Sequence, residues 1–255
     1  MTLAYDRLGN QGATQTIAFL HGFTQTRRSM HGLIGEMSAL STLFSAMTVD
    51  APLHGESQQV ATDVPGAADA LVDTCGQAIY LGYSMGARIC LHAALQHPTD
   101  VQALVLISGT AGIIDPAQRQ HRQEADIELA AHVERVGTQQ FITQWLAKPM
   151  FALLPDNPHD IAQRCTNSAT SLATSLRMCG TGTQQSLWES LPSLSMPVLL
   201  IAGAHDEAFC QHARRIHELI GSNSTIHIVQ DAGHSVHLEQ TQATAQIITD
   251  WLATI

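Results

Sequence analysis

The sequence predicts an α/β protein in which helices flank a mostly parallel central sheet. Two observations support this fold class. Short, β-rich apolar runs alternate with segments of helical periodicity along most of the chain. One long stretch, residues 113–191, has helical patterning without a clear strand, which indicates an inserted helical cap. A chain of 255 residues can bury one substantial core and carry such an insertion. We therefore predict a core formed by residues 1–112 and 192–255, and a cap formed by residues 113–191.

The predicted strands are short apolar runs, with Leu3–Leu8 as a further edge strand: Thr16–Leu20, Ser45–Val49, Ala78–Leu81, Ala103–Ile107, Val198–Ala202 and Thr225–Val229. The predicted core helices are Met30–Leu40, Ala67–Cys75, Met85–Gln96, His212–Leu219 and Thr241–Leu252. The cap is predicted to contain the helices Gln118–Arg135, Thr138–Leu146 and Ile161–Met178. Because the cap follows one strand and precedes the next, we expect it to cover the carboxyl edge of the sheet, where open α/β folds bind ligands.

Composition excludes several classes of function. The net charge of −10 opposes general binding to nucleic acid or to anionic membranes. No apolar run approaches membrane-spanning length, and the N-terminus lacks the features of a signal peptide. Five cysteines without CxxC spacing indicate free thiols and a cytoplasmic protein. No phosphate-binding loop or metal motif is present, so we predict no cofactor, and we expect a monomer or a weak homo-oligomer.

The segment Gly82-Tyr83-Ser84-Met85-Gly86 lies between a predicted strand and a predicted helix. A Gly-x-Ser-x-Gly in this context is typical of a nucleophile elbow, a sharp turn that exposes the serine hydroxyl. The hydroxyl would stand at a helix N-terminus, where unpaired N–H groups favour developing negative charge. The motif therefore predicts that Ser84 is a catalytic residue.

A serine needs a histidine to take its proton, and the histidine needs an orienting carboxylate. Asp206 follows the predicted strand Val198–Ala202, and His234 follows the predicted strand Thr225–Val229. With Ser84, they occur in the chain order that a nucleophile elbow requires. We therefore predict a Ser84–His234–Asp206 triad. Asp231 is a competing carboxylate, but it precedes the histidine too closely to reach behind its ring.

Two more segments follow predicted strands. Leu20-His21-Gly22-Phe23 occupies the place of the loop that completes an oxyanion hole, with the backbone N–H of Phe23 joining that of Met85. The segment from Asp50 to Ser57 follows the next strand. Together with the elbow, these segments resemble the α/β-hydrolase family, so the resemblance implies an α/β-hydrolase fold.

The positions of several arginines argue against a simple ester substrate. Arg88 lies one helical turn after Ser84, on roughly the same face of the helix. The cap contains Gln118-Arg119-Gln120-His121-Arg122, then Trp145 with Pro149 and Phe151, and then Arg164-Cys165-Thr166-Asn167. Guanidinium groups bind carboxylates through paired hydrogen bonds, and an arginine so close to Ser84 is unusual if the substrate is a neutral ester. A structural ion pair is the alternative interpretation of Arg88.

This combination closely resembles the 2-succinyl-6-hydroxy-2,4-cyclohexadiene-1-carboxylate synthase family of menaquinone and phylloquinone biosynthesis over essentially the full chain. The resemblance implies a lyase that eliminates pyruvate from a small polycarboxylate, with His234 and Asp206 activating Ser84 to abstract a ring proton. It implies that the substrate is bound by Tyr83, Arg88, Arg122, Trp145 and Arg164. His21 is expected either to bind substrate with them or to be a structural residue near the site. Of Arg119 and Arg122, we favour Arg122 as the inward-facing residue. The chain differs from the family pattern at Met30, Leu53 and His205.

Two other classes of function use parts of the same pattern. A carboxylesterase or carbon–carbon bond hydrolase would act through an acyl-enzyme and would keep Ser84, Asp206 and His234 without needing clustered cap arginines. A non-catalytic binding protein of this fold commonly lacks a triad member, and here all three are present.

We expect Arg88→Ala or Arg164→Ala to damage turnover more than folding.

Overall fold

The computed structural model describes residues 1–10, 12–40 and 43–255. These residues form a seven-stranded sheet in the order β1-β3-β2-β4-β5-β6-β7. The strands are β1 (Tyr5–Gly9), β2 (Gln15–Leu20), β3 (Phe44–Val49), β4 (Ala78–Tyr83), β5 (Val101–Ile107), β6 (Val198–Gly203) and β7 (Ser224–Val229). β1 pairs antiparallel with β3, and the other pairs are parallel. This topology confirms the predicted fold class, including an edge strand near the N-terminus.

The helices are α1 (His31–Leu40), α2 (Val64–Cys75), α3 (Met85–Gln96), α4 (Pro116–Val136), α5 (Thr138–Leu146), α6 (Pro158–Arg164), α7 (Ala169–Cys179), α8 (Glu207–Ile220), α9 (Val236–Glu239) and α10 (Thr241–Leu252). Apolar side chains of α2, α3 and α8 pack on one face of the sheet. Those of α1 and α10 pack on the other face. The continuous apolar runs of the central strands follow from this burial on both faces.

Helices α4 to α7 lie in the chain between β5 and β6, and we refer to them as the α4–α7 segment. They have an apolar cluster of their own, in which Phe141 and Ile142 of α5 pack with residues of α4 and α7 such as Val133 and Leu172. Phe23 and Trp145 lie against this cluster. The cluster holds these helices together above the edge of the sheet that carries Ser84.

The prediction of one continuous helix over Ile161–Met178 is wrong. The helix α6 ends at Arg164 and α7 begins at Ala169. The hydroxyl of Ser168 accepts a hydrogen bond from the N–H of Ser171, which caps the start of α7. The side chain of Asn167 bonds to core loops instead of facing along a helix. Local capping chemistry therefore overrides the apolar periodicity.

Among the described residues, no helix is at once long and apolar enough to cross a membrane. All five cysteines are free thiols, as the sequence predicts, and Cys90, Cys179 and Cys210 are buried.

Candidate active site

Ser84 lies at the turn between β4 and α3 with a backbone φ of 51°. This left-handed conformation is uncommon for a residue with a side chain. The turn is tight because the flanking glycines leave room for it. A Cβ atom at Gly82 would lie 2.3 Å from the carbonyl oxygen of Gly86, and one at Gly86 would lie 2.2 Å from that of Leu20. The two glycines thus allow the strand and helix to approach closely enough to expose the hydroxyl of Ser84.

His234 lies between Ser84 and Asp206. Its Nε2 atom is 3.0 Å from Oγ of Ser84, and its Nδ1 atom is 2.7 Å from Oδ2 of Asp206. The ring is buried among Phe209, Tyr83 and Phe151, with centroid distances of 4.5, 5.4 and 6.3 Å. With this carboxylate on Nδ1, Nε2 is free to accept a proton from the serine. The structure therefore brings the three predicted residues into one hydrogen-bonded chain.

The backbone N–H groups of Phe23 and Met85 were predicted to form an oxyanion hole. Both residues line the same cavity as Ser84. Within the described part of the chain, neither N–H is bonded to another protein group. Met85 is the first residue of α3, where N–H groups have no partner inside the helix. The two donors are therefore available to an oxygen atom in the cavity.

The cavity has a volume of about 420 Å³ and lies between the core and the α4–α7 segment. It contains nine of the predicted site residues, namely Phe23, Tyr83, Ser84, Met85, Arg88, Arg122, Trp145, Arg164 and His234. Asp206 does not line this cavity because it lies behind the ring of His234. Arg119 does not line it either, so Arg122 is the arginine of this pair that reaches the cavity.

Arg88 is a buried cation, with 6% of its surface exposed. Its guanidinium donates to Oε1 of Gln184 over 3.0 Å and to the carbonyl oxygen of Cys179 over 2.7 Å. Among the residues the structure describes, no carboxylate forms an ion pair with it. Burial lowers the pKa of Arg88 to about 10. A structural ion pair therefore does not explain this residue, and its charge is available to an anionic ligand.

The other two predicted arginines have carboxylate partners. Arg122 pairs with Asp126 over 2.9 Å. Arg164 is buried and pairs with Asp160 over 2.6 Å, while its Nη1 atom donates to the hydroxyl of Thr24 over 2.6 Å. Arg164 thus lines the cavity and also joins α6 to the loop that contains Phe23.

His21 does not line the cavity, so the prediction that it binds substrate is wrong. Its side chain is fully buried. Nε2 accepts a hydrogen bond from the N–H of Ala51 over 3.0 Å, and Nδ1 is 2.8 Å from the carbonyl oxygen of Gly22. Burial lowers its pKa. His21 therefore connects the loop after β2 to the segment after β3.

The segment after β3 also contains Leu53, one of the positions at which the chain differs from the family pattern. Leu53 has a φ of 65°, a left-handed conformation in which glycine is favoured. The next residue, His54, is fully buried, and its Nε2 atom accepts the N–H of Thr24 over 3.3 Å. Burial lowers the pKa of His54 to about 3, which keeps its ring neutral.

Sequence reasoning missed several residues around the cavity. Lys148, Phe151, Asp126 and Phe209 line it but were not predicted as site residues. Gln184 contacts Arg88 from a position 96 residues away along the chain. Lys148 is the residue with the clearest signal in the sequence, because it is the only lysine among 12 basic residues.

The described fold and site define a class of protein. A sheet with one antiparallel edge strand, a serine elbow after β4 and a histidine after β7 are features of an α/β hydrolase. A model of the alpha/beta hydrolase family matches residues 17–247. The chain belongs to the alpha/beta hydrolase family.

More specific similarity comes from individual proteins. The chain is 34% identical over 254 residues to a Bacillus subtilis (strain 168) protein provisionally named 2-succinyl-6-hydroxy-2,4-cyclohexadiene-1-carboxylate synthase, covering 95% of this chain and 92% of that protein. It is 30% identical over 238 residues to the synthase of that name from Serratia proteamaculans (strain 568), covering 88% of this chain and 91% of that protein. The solved structure of MenH from S. aureus matches with a TM-score of 0.88 at 29% identity, and the match covers 100% of this chain and 99% of that chain. Within the alpha/beta hydrolases, the chain is a member of this synthase family.

Proposed function

We propose that the protein is a carbon–oxygen lyase of menaquinone or phylloquinone biosynthesis. Its substrate would be 2-succinyl-5-enolpyruvyl-6-hydroxy-3-cyclohexene-1-carboxylate, and its products 2-succinyl-6-hydroxy-2,4-cyclohexadiene-1-carboxylate and pyruvate. The observation that carries the proposal is the buried guanidinium of Arg88, one turn after Ser84 and without a carboxylate partner among the described residues. A neutral ester gives no reason for such a charge, whereas this substrate carries three carboxylates.

The reaction begins with loss of a proton from ring carbon 2. This hydrogen is acidic because the carbon is adjacent to the succinyl ketone and to the ring double bond. The electron pair of the C–H bond forms the new C2=C3 bond, and the C3=C4 pair moves to C4=C5. The C5–O bond then breaks, and enolpyruvate leaves and takes up a proton to become pyruvate. The step needs no water and no change of oxidation state.

Each group of the site has a role in this scheme. Ser84 takes the proton and passes it to Nε2 of His234, which is 3.0 Å away. Asp206 stabilises the resulting imidazolium through Nδ1. The N–H groups of Phe23 and Met85 stabilise the enolate that develops on the succinyl oxygen. Tyr83 and Trp145 enclose the substrate beside these groups, and Arg88, Arg122 and Arg164 bind its carboxylates.

The α4–α7 segment acts in this proposal as a cap of about residues 113–191, because it contributes Arg122, Trp145 and Arg164 to a cavity whose reacting groups come from the core. The five free thiols support a reducing compartment, so we also propose a cytoplasmic location. The oligomeric state proposed is a monomer or a weak homo-oligomer, with no nucleic-acid partner.

A coupled pyruvate assay tests the function directly. Wild-type protein is expected to release pyruvate from the cyclohexene substrate and to hydrolyse nitrophenyl esters poorly. Ser84→Ala should lower the rate of pyruvate release by at least about 1,000-fold, because the proton acceptor is lost. Ser195→Ala, at an exposed serine outside the cavity, is the matched control and should leave the rate unchanged. Rapid ester hydrolysis without pyruvate would instead support an acyl-enzyme hydrolase.

A further inference from the structure

Lys148 is the only lysine of the chain, and its side chain lines the cavity. It lies between α5 and a short 3-10 turn, Pro149–Phe151, that places Phe151 beside His234. Its position is therefore close to the reacting groups, although it is contributed by the α4–α7 segment.

The ammonium group of Lys148 lies over the ring of Trp145, with Nζ 4.0 Å from the ring centroid. Such a cation–π contact holds the charge in place but uses none of the directional hydrogen bonds that an ammonium group can donate. Among the described residues, no carboxylate forms an ion pair with Lys148. The indole N–H of Trp145 is itself buried and without an acceptor within the described chain. The ammonium group of Lys148 thus keeps its hydrogen-bond donors available to a ligand in the cavity that the residue lines.

The charges nearby are unbalanced. Lys148, Arg88 and Arg122 all line the cavity, whereas Asp126 is the one carboxylate among the described lining residues. Asp126 is already paired with Arg122. Burial and the positive charge of Arg122 lower the pKa of Lys148. A cluster of three cations around one carboxylate is unfavourable in a partly buried site unless an anion joins it.

We propose that the ammonium group of Lys148, held over the ring of Trp145, is a carboxylate-binding subsite for one of the three carboxylates of the substrate. The subsite lies beside the Arg122–Asp126 pair, and its occupation neutralises the excess charge there. The inference rests on the proposed function for the identity of the carboxylate. It goes beyond that function because it adds Lys148 to the three arginines, Arg88, Arg122 and Arg164, that are proposed to bind the substrate.

Kinetics of two variants test the subsite. Lys148→Met keeps the apolar stem but removes the charge, and we expect KM for the cyclohexene substrate to rise at least about tenfold with kcat changed less than about threefold. Lys148→Arg should recover most of the affinity because it restores a cation. Arg119→Met is the matched control, since it removes a cation of α4 that does not line the cavity, and its KM should equal that of wild type.

A second measurement does not depend on turnover. Reductive methylation with ¹³C-formaldehyde labels only the amino groups of Lys148 and of the N-terminus, because the chain has no other lysine. In the Ser84→Ala background, adding the cyclohexene substrate should shift the ¹³C signal of dimethylated Lys148 and raise its pKa. The signal of the N-terminal amine, which is exposed and pairs with Asp73, should stay in place.

The outcomes separate the two proposals. If wild type releases no pyruvate, the proposed function fails. If wild type releases pyruvate but Lys148→Met has an unchanged KM and the lysine signal does not move, the subsite is wrong while the function stands. A lower melting temperature of Lys148→Met with unchanged KM would show that the cation–π contact is only structural, and it would also overturn the subsite.

Discussion

The side-chain amide of Asn167 donates a hydrogen bond to the carbonyl oxygen of Thr24 over 2.8 Å. Thr24 follows Phe23 and has a φ of 70°, which is rare for a β-branched residue. Asn167 also accepts the N–H of Gly55 over 2.8 Å. One buried amide between α6 and α7 thus holds two core loops, one of which carries the proposed oxyanion donor Phe23.

Replacing Asn167 should therefore affect both stability and catalysis. Asn167→Ala leaves the carbonyl oxygen of Thr24 and the N–H of Gly55 without this partner, so we expect the free energy of unfolding to fall by about 1–3 kcal/mol. We also expect kcat for pyruvate release to fall about tenfold, because the N–H of Phe23 loses its fixed position. Urea denaturation and the pyruvate assay measure the two effects. The control is Asn223→Ala, at an exposed asparagine, and an unchanged kcat for Asn167→Ala would contradict the positioning role.

The two buried arginines of the cavity should respond differently to the same substitution. Arg88→Met removes a cation without a carboxylate partner together with its hydrogen bonds to Gln184 and Cys179. We therefore expect the free energy of unfolding to fall by no more than about 1–3 kcal/mol, and kcat/KM to fall by at least about 100-fold. Arg164→Met leaves Asp160 and the hydroxyl of Thr24 without their partner, and should lower the free energy of unfolding by about 3–5 kcal/mol. This revises the sequence-based expectation that both changes affect turnover more than folding. Equal stability losses in the two variants, measured by chemical denaturation, would show that Arg88 is also structural.

The carboxylate behind His234 can be tested against its competitor. Asp206→Asn removes the charge that orients the ring, and we expect kcat for pyruvate release to fall by about 10³–10⁴-fold. Asp231→Asn is the matched control, because Asp231 is exposed and does not bond to the ring of His234. Its left-handed φ of 56° is one that asparagine also adopts. Loss of activity in Asp231→Asn but not in Asp206→Asn would show that Asp231, and not Asp206, is the carboxylate that acts on His234.

The burial of the His237 ring leads us to expect that the folded protein loses stability in acid. Its ring is fully buried, contacts the ring of Tyr83 at a centroid distance of 4.3 Å, and has no hydrogen-bond partner among the described residues. Burial lowers its pKa from 6.5 to about 3. The unfolded chain therefore binds the proton first as the pH falls, so stability present above about pH 6.5 is lost on going toward pH 3.

From pH 7 to pH 5 this single histidine should reduce the free energy of unfolding by up to about 2 kcal/mol. His237→Phe keeps an aromatic ring beside Tyr83 but cannot be protonated, so its stability should depend less steeply on pH. Urea denaturation at several pH values measures the slope. Identical slopes for variant and wild type would mean that His237 does not carry this dependence.

Short-range patterns were sufficient to predict that Ser84, His234 and Asp206 lie together. Ser84 has a motif of five residues, and Asp206 and His234 each follow a strand whose apolar run is clear. Arg88 is one turn from Ser84, so helical periodicity alone places it on the same face. The geometry in the structure agrees with these placements because the parallel strands bring their carboxyl ends to one edge.

Contacts between distant parts of the chain could not be predicted in this way. The bond from Asn167 to Thr24 joins residues 143 positions apart, and that from Arg164 to Thr24 joins residues 140 apart. The break between α6 and α7 contains neither glycine nor proline, so only the capping tendency of Ser168 signals it. His21 was misplaced for a related reason, since a position after a strand does not determine whether a side chain faces the cavity or the core.

The division of the cavity between core and α4–α7 segment has a consequence for how this chemistry could be redesigned. The proposed proton-transfer groups lie in turns and loops of the core, whereas Arg122, Trp145, Lys148 and Arg164 lie on the α4–α7 segment. Grafting a different insertion would exchange the recognition elements and leave the acid–base apparatus intact. Arg88 is the exception, because it is built into α3. A graft intended for neutral substrates must therefore also replace Arg88, or it will inherit a desolvated charge with nothing to bind.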